Sequence, residues 1–167
     1  MNEDLAQRVA RLEAIEAVRT TFHRYLHLLD LAAIDDLLGV FTPDAFVEVM
    51  NYPPGEGGNI EFRGREALRA LYAPLRAGSY RHHGTNATIA VAADAASAEF
   101  SSYFIATSPY HFGGGLYEGT ARPHDGQWLF SWWRVSSTWG WRVAGQPPPY
   151  LKDGLGARTK RLGYPAQ

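Results

Sequence analysis

The chain has 167 residues, 46% of them hydrophobic and 20% charged, which is enough apolar material for one domain with a real core and too little length for two ordinary ones. With 16 Lys and Arg against 17 Asp and Glu the net charge is −1, so the broad positive surface that nucleic acid or an anionic membrane requires is missing. The absence of cysteine removes disulfides, thiolate nucleophiles and cysteine-bound metals. Met1 to Asp4 is polar and acidic and no apolar run reaches membrane-spanning length, so the expected setting is cytoplasmic.

In chain order, Leu5, Val9, Leu12, Ile15, Phe22, Leu26 and Leu29 recur at spacings of three, four and seven, which predicts a long first helix from Leu5 through Asp30. A short second helix is expected from Ala32 to Leu38, ending near Gly39. Ala45 to Met50 reads as a strand and Tyr52 to Gly58, rich in Pro and Gly, as a loop that could border a pocket. A third helix opens after Gly64 and is limited by Pro74 and Gly78. Strands follow at Tyr80 to Val91, Ala98 to Thr107, Leu116 to Arg122 and Trp128 to Thr138, the last two joined by the hairpin signal Asp125-Gly126. Helices first and antiparallel strands after predict an α+β domain whose helices cover one sheet face.

All five tryptophans lie between residues 128 and 141, and strict alternation puts Trp128 and Trp132 on one face with Trp133 on the other. We read residues 1–140 as the domain and 141–167 as a tail that could drape over a pocket mouth. Within the tail, Pro147-Pro148-Pro149-Tyr150 is polyproline rather than a recognition motif. Neither a Gly-x-Gly-x-x-Gly fingerprint nor a Gly-x-Ser-x-Gly elbow is present, so nucleotide binding and serine hydrolysis recede. His23 and His27 lie one turn apart with Asp30 on the same helix face, but Arg24 stands where a metalloprotease-like motif needs glutamate, and no metal is expected.

Three segments carry a resemblance. They are Tyr25-Leu26-His27-Leu28-Leu29-Asp30 followed by Val40-Phe41-Thr42-Pro43-Asp44-Ala45, then Arg81-His82-His83-Gly84-Thr85-Asn86, and finally Asp125-Gly126-Gln127-Trp128. Together they resemble the SnoaL-like, or nuclear transport factor two-like, family. The resemblance implies a cone-shaped α+β barrel, a strongly curved antiparallel sheet wrapped around helices over an apolar cavity. Members include dehydratases, a dehydrochlorinase, isomerases and polyketide cyclases, several of them cofactor-free, as well as non-catalytic binding modules, so fold alone does not decide function.

The resemblance also implies an Asp30–His82 dyad. An imidazole is a competent base near neutral pH when a carboxylate holds one tautomer and stabilises the cation that forms. Asp30 has the alternative role of a helix-terminal carboxylate, and a bulge in the strand would exchange His82 for His83. Tyr25 stands where a dehydratase relative carries a catalytic tyrosine, but positions five apart on a straight helix diverge by about 140°, so it joins Asp30 only if the helix ends or bends between them. Beside these three catalytic candidates, the expected substrate-binding residues are His83, Phe104, Trp128 and Trp132, with His111 at a pocket rim in a probable hairpin connection and Arg134 as an oxyanion binder or a surface ion-pair partner. The expected activity is a cofactor-independent lyase of dehydratase type, eliminating water or another β-leaving group from a hydrophobic alicyclic, steroid-like or polyketide-like molecule. An isomerase or cyclase using the same dyad, or a non-catalytic pocket or dimerisation module, are the alternatives. By the same resemblance the protein is expected to be a homodimer.

Overall fold

A computed structural model describes residues 4–50, 58–108 and 111–142. Residues 52–57 of the expected loop and 143–167 of the expected tail lie outside the described residues.

Helix α1 spans Leu5–Leu31. Asp4 starts it with a capping box, its side chain accepting from the Gln7 backbone N–H while the Gln7 side chain reaches back to Asp4. Ala32 ends it in the left-handed region at φ 52°, and its N–H is taken up by carbonyls of the last turn. The periodic apolar pattern is helical throughout, yet burial begins only at Ala14; Leu5 and Leu12 are 72% and 63% exposed because the first turns run past the sheet that covers the rest. Helices α2 (Ile34–Leu38) and α3 (Arg65–Tyr72) complete the helical layer.

The strands are β1 (Phe41–Met50), β2 (Asn59–Arg63), β3 (Arg81–Val91), β4 (Ala98–Thr107), β5 (His111–His124) and β6 (Gln127–Arg142). They form one sheet in the order β2-β1-β6-β5-β4-β3, open at both edges. All neighbouring pairs are antiparallel except β1 and β6, which run parallel. The expected antiparallel meander β3–β6 is present; the one parallel pair arises because the chain leaves β1 through β2 and α3, crosses to the far edge, and returns by that meander to β1's free side. β2 was not expected: its five residues alternate, with Ile60 and Phe62 half-buried, but two apolar positions are too short a pattern to mark a strand by themselves. The Asp125-Gly126 hairpin is present, both residues having positive φ, 48° and 75°, as a tight two-residue turn requires. β6 runs past residue 140, where the domain was expected to end.

The concave face and α1 enclose an aromatic core of Phe22, Tyr25, Phe41, Phe100, Tyr117, Phe130 and Trp133, each at most 4% exposed. The Thr21 hydroxyl, donating to the Trp128 carbonyl at 2.6 Å, ties the middle of α1 to the start of β6. In β6 the pairing steps from Thr120↔Trp132 to Ala121↔Phe130, leaving Ser131 as an extra residue. That bulge overturns strict alternation. Trp128 packs against the core, Trp133 is fully buried in it, and Trp132 is turned to the convex face. No described helix is long and apolar enough to cross a membrane.

Candidate active site

Asp30 sits in the last turn of α1, where its backbone carbonyl accepts from the Gly78 N–H at 2.9 Å. Its side chain faces edge strand β3. The Asp30 Oδ1 is 2.7 Å from His82 Nδ1, and the same oxygen accepts the His82 backbone N–H at 3.1 Å. Side-chain exposures of 19% for Asp30 and 13% for His82 place the contact under partial cover, where a charge-assisted hydrogen bond is stronger than in open water. The backbone bond fixes the carboxylate against the strand independently of the ring. With Nδ1–H donated to the carboxylate, His82 Nε2 carries the lone pair, and the imidazolium it becomes on taking a proton stays paired.

His83, paired with Ile105, is exposed on the opposite sheet face, since β3 is regular over Arg81–Thr85 and its side chains alternate. The expectation that it lines the site is corrected. His23, Leu26, His27, Asp30 and His82 line an open cleft of about 110 Å³ between α1 and β3. Among the described residues no three His, Asp or Glu side chains converge to hold a metal ion.

His111 is the first residue of β5, not part of a hairpin connection. Tyr80 lies between it and the dyad, its ring 6.0 Å from that of His82 and 6.2 Å from that of His111. The His111 ring occupies space that two glycines vacate: a Cβ on Gly113 would stand 2.5 Å from it and one on Gly140 2.9 Å. Gly113, Gly114 and Gly115, directly after His111, are strand residues of β5, and the first of them leaves the space in which the imidazole lies. His111 Nδ1 is buried without a hydrogen-bond partner among the described residues.

Tyr25 is placed otherwise than a shared site requires. α1 continues unbroken to Leu31, so Tyr25 points into the core, 2% exposed, with its ring 5.0 Å from Trp133, 5.7 Å from Tyr117 and 5.9 Å from Phe41. Burial pushes its phenol up to about 12, against the opposing pull of the Tyr72, Trp133 and Tyr117 donors that face it. Phe104 stacks on Tyr117 at 4.3 Å on the same concave face. Trp128 does not reach the dyad. Its anchor, Thr21, lies nine residues before Asp30, about 14 Å along the helix axis.

Trp132 and Arg134 are corrected as pocket residues. The Trp132 indole N–H donates to Glu48 at 2.7 Å, Arg134 meets Glu48 at 3.2 Å and Glu118 at 3.9 Å, and the guanidinium lies 5.0 Å from the Trp132 ring centre. They form an ion-pair and cation–π network outside the cone, so Arg134 is the surface partner of the two roles considered for it. What sequence reasoning missed is the burial of Tyr72 and Tyr117 beside Trp133. Tyr72 follows Leu68 by one turn on α3, and both are buried, a spacing that could have marked it.

Three buried tyrosines have a consequence for alkaline stability. Desolvation holds Tyr25, Tyr72 and Tyr117 above the ordinary value near 10, the last two well above it, while in the unfolded chain all three titrate near 10. The unfolded state therefore loses protons first as pH rises. Their neutral burial stabilises the fold fully below about pH 10, and each tyrosine removes up to about 1.4 kcal/mol per pH unit above it. Denaturant midpoints should fall steeply above about pH 10, with tyrosinate absorbance from these residues appearing only as the fold is lost.

A long first helix packed on a six-stranded sheet, with two short helices beside it, gives the described residues an α+β fold. The chain belongs to the SnoaL-like domain family, whose model matches residues 10–134. No protein of curated function matches it. Among solved structures it is similar to the hexachlorocyclohexane dehydrochlorinase LinA-type3 of Novosphingobium barchaimii LL02, at 20% identity and TM-score 0.69, over 85% of this chain and 99% of that one. A protein provisionally called a scytalone dehydratase from Novosphingobium aromaticivorans shares 23% identity at TM-score 0.61, over 86% and 95% of the two chains. A single-substitution variant of Rv3472, a protein of unknown function from Mycobacterium tuberculosis, shares 20% at TM-score 0.62, over 89% and 81%. At these identities the likeness is one of fold, cone-like and of mixed helix and sheet.

Proposed function

We propose that this protein is a cofactor-independent lyase that eliminates water, or another β-leaving group, from a hydrophobic alicyclic or polyketide-like small molecule. The observation that carries the reading is the 2.7 Å contact between Asp30 and His82 Nδ1, which leaves Nε2 as a base whose cation is already neutralised. In the proposed step His82 Nε2 takes the proton from a carbon next to a carbonyl, and the C–H electrons move into the enolate. The enolate then collapses to the alkene as the C–O bond to the β-hydroxyl breaks, and the imidazolium returns its proton to the departing oxygen, so that water leaves and His82 is neutral again. Asp30 keeps its charge throughout, orienting the ring.

The dehydrochlorinase and dehydratase among its structural neighbours support elimination as the reaction type, as analogy. The test is incubation of the purified protein with a panel of cyclic β-hydroxyketones in deuterated water. Loss of eighteen mass units, about one water, supports the lyase. A product that keeps every atom of the substrate but carries carbon-bound deuterium, about one mass unit heavier per exchange, would replace it by an isomerase, and unchanged substrates that nonetheless bind would replace it by a non-catalytic pocket protein.

A further inference from the structure

Helix α1 carries a second apolar face, one that the described fold leaves open. Its core side is set by Val18, Phe22, Tyr25 and Leu29, each at most 7% exposed. The helix is unbroken, and at about 100° per residue Leu5, Val9 and Leu12 form one stripe turned about 140° away from that side. They are 72%, 44% and 63% exposed. A longer sheet would therefore not cover them, because they look away from it. The Asp4 capping box starts the helix at Leu5, so the whole stripe is helical.

Single exposed apolar residues are ordinary, but a stripe at spacings of four and three is the seam of a coiled coil. Taking Leu5 and Leu12 as d positions puts Val9 at a, and a β-branched a with leucine at d favours two parallel strands. Arg8 then falls at g and Glu13 at e, and both are exposed. In a parallel pair, g of one helix meets e of the next heptad on the other, so Arg8 of each copy meets Glu13 of its partner. An antiparallel pair would set g against g and e against e, and these opposite charges would not meet. Beyond Leu12 the stripe turns polar, with Glu16 and Arg19 ion-paired within one chain, so the seam ends there. The sheet covers the far flank of α1, which leaves two copies free to pair with their sheets outermost.

We propose that Leu5, Val9 and Leu12 of α1 dock on the same stripe of a second copy of this chain, as a short parallel two-stranded coiled coil held in register by two Arg8–Glu13 pairs. This gives the expected homodimer a surface, on the helix rather than on the sheet. With three apolar side chains from each copy the seam is small, so the dimer exchanges with monomer as the protein is diluted.

Sedimentation velocity of the full-length protein from about 1 to 200 µM tests it, the average mass rising from monomer towards dimer. Leu12→Glu should stay monomeric across that range and keep the parent's circular dichroism and dilute-solution Tm, because the side chain is exposed in the monomer. Arg8→Glu and Glu13→Arg should each weaken self-association by about tenfold, since each turns both ion pairs into like charges. Mixed in equal amounts, these two variants should pair with each other at least as tightly as the parent pairs with itself, one bringing only acidic and the other only basic flanks. A parent that stays monomeric throughout would overturn the proposal and leave residues 143–167 or another protein as the cover of the stripe. A dimer that survives Leu12→Glu would lie on another face and overturn it equally, and charge reversals that fail to rescue each other would sink the parallel register.

Discussion

Replacing His82 by alanine is expected to lower turnover by about 10²- to 10⁴-fold with little change in KM, while His83→Ala stays within about twofold of the parent. The two histidines are adjacent in sequence and differ only in which sheet face they occupy. His82 meets Asp30 at 2.7 Å, and His83 is exposed on the other side. Asp30→Asn should fall by a comparable factor, because an amide presents either a donor or an acceptor to Nδ1 and no longer neutralises the imidazolium. The fall should lie in kcat, since in the proposed step both residues act on the transferred proton rather than on binding of the substrate's bulk. Steady-state kinetics on any substrate that turns over, with circular dichroism to confirm folding, reads the result. A His83→Ala variant that lost activity while His82→Ala kept it would sink the assignment.

The second large effect concerns stability. Trp133→Ala is expected to cost about 3–5 kcal/mol, and Trp132→Ala, one residue away, about 1 kcal/mol or less. Trp133 is fully buried, with ring centres 4.3 Å from Phe130, 5.0 Å from Tyr25, 5.2 Å from Tyr117 and 5.6 Å from Phe100. The sheet is built around it, for a Cβ on Gly119 would stand 2.6 Å from its ring. Removing the indole leaves a hole that the packed rings around it cannot close. Trp132 lies on the convex face and gives up only its hydrogen bond to Glu48 and its place beneath Arg134. Urea unfolding at constant slope measures both losses, and a larger loss for Trp132 would mean that the bulge at Ser131 is misplaced.

These predictions fall on either side of the line between what local pattern reveals and what it conceals. α1 and the Asp125-Gly126 hairpin were readable because each rests on interactions between residues a few positions apart. β2 was not, since its pairing partner β1 supplies the stabilisation that its own five residues lack. The Asp30–His82 pair was reachable through the family motif, although 52 residues separate the two side chains and no local rule joins them. His111 was misread as a loop residue because the three glycines after it suggest a turn, whereas here they are strand positions where a side chain would collide with the His111 ring, the Trp139 ring or the backbone of neighbouring strands.

By itself, then, the sequence determined the α+β class without cysteine chemistry, with a long first helix ahead of antiparallel strands and a tryptophan-rich last described strand, because composition, helical period and turn chemistry act over short distances. Which tryptophan is inside, whether Tyr25 meets Asp30, and what Arg134 binds were decided only by tertiary structure. One extra residue at Ser131 exchanges the faces of β6, an unbroken α1 carries Tyr25 into the core and away from the carboxylate, and parallel pairing with β1 sets Glu48 beside Arg134. Each of these depends on register between distant segments, which side-chain alternation along a single strand cannot encode.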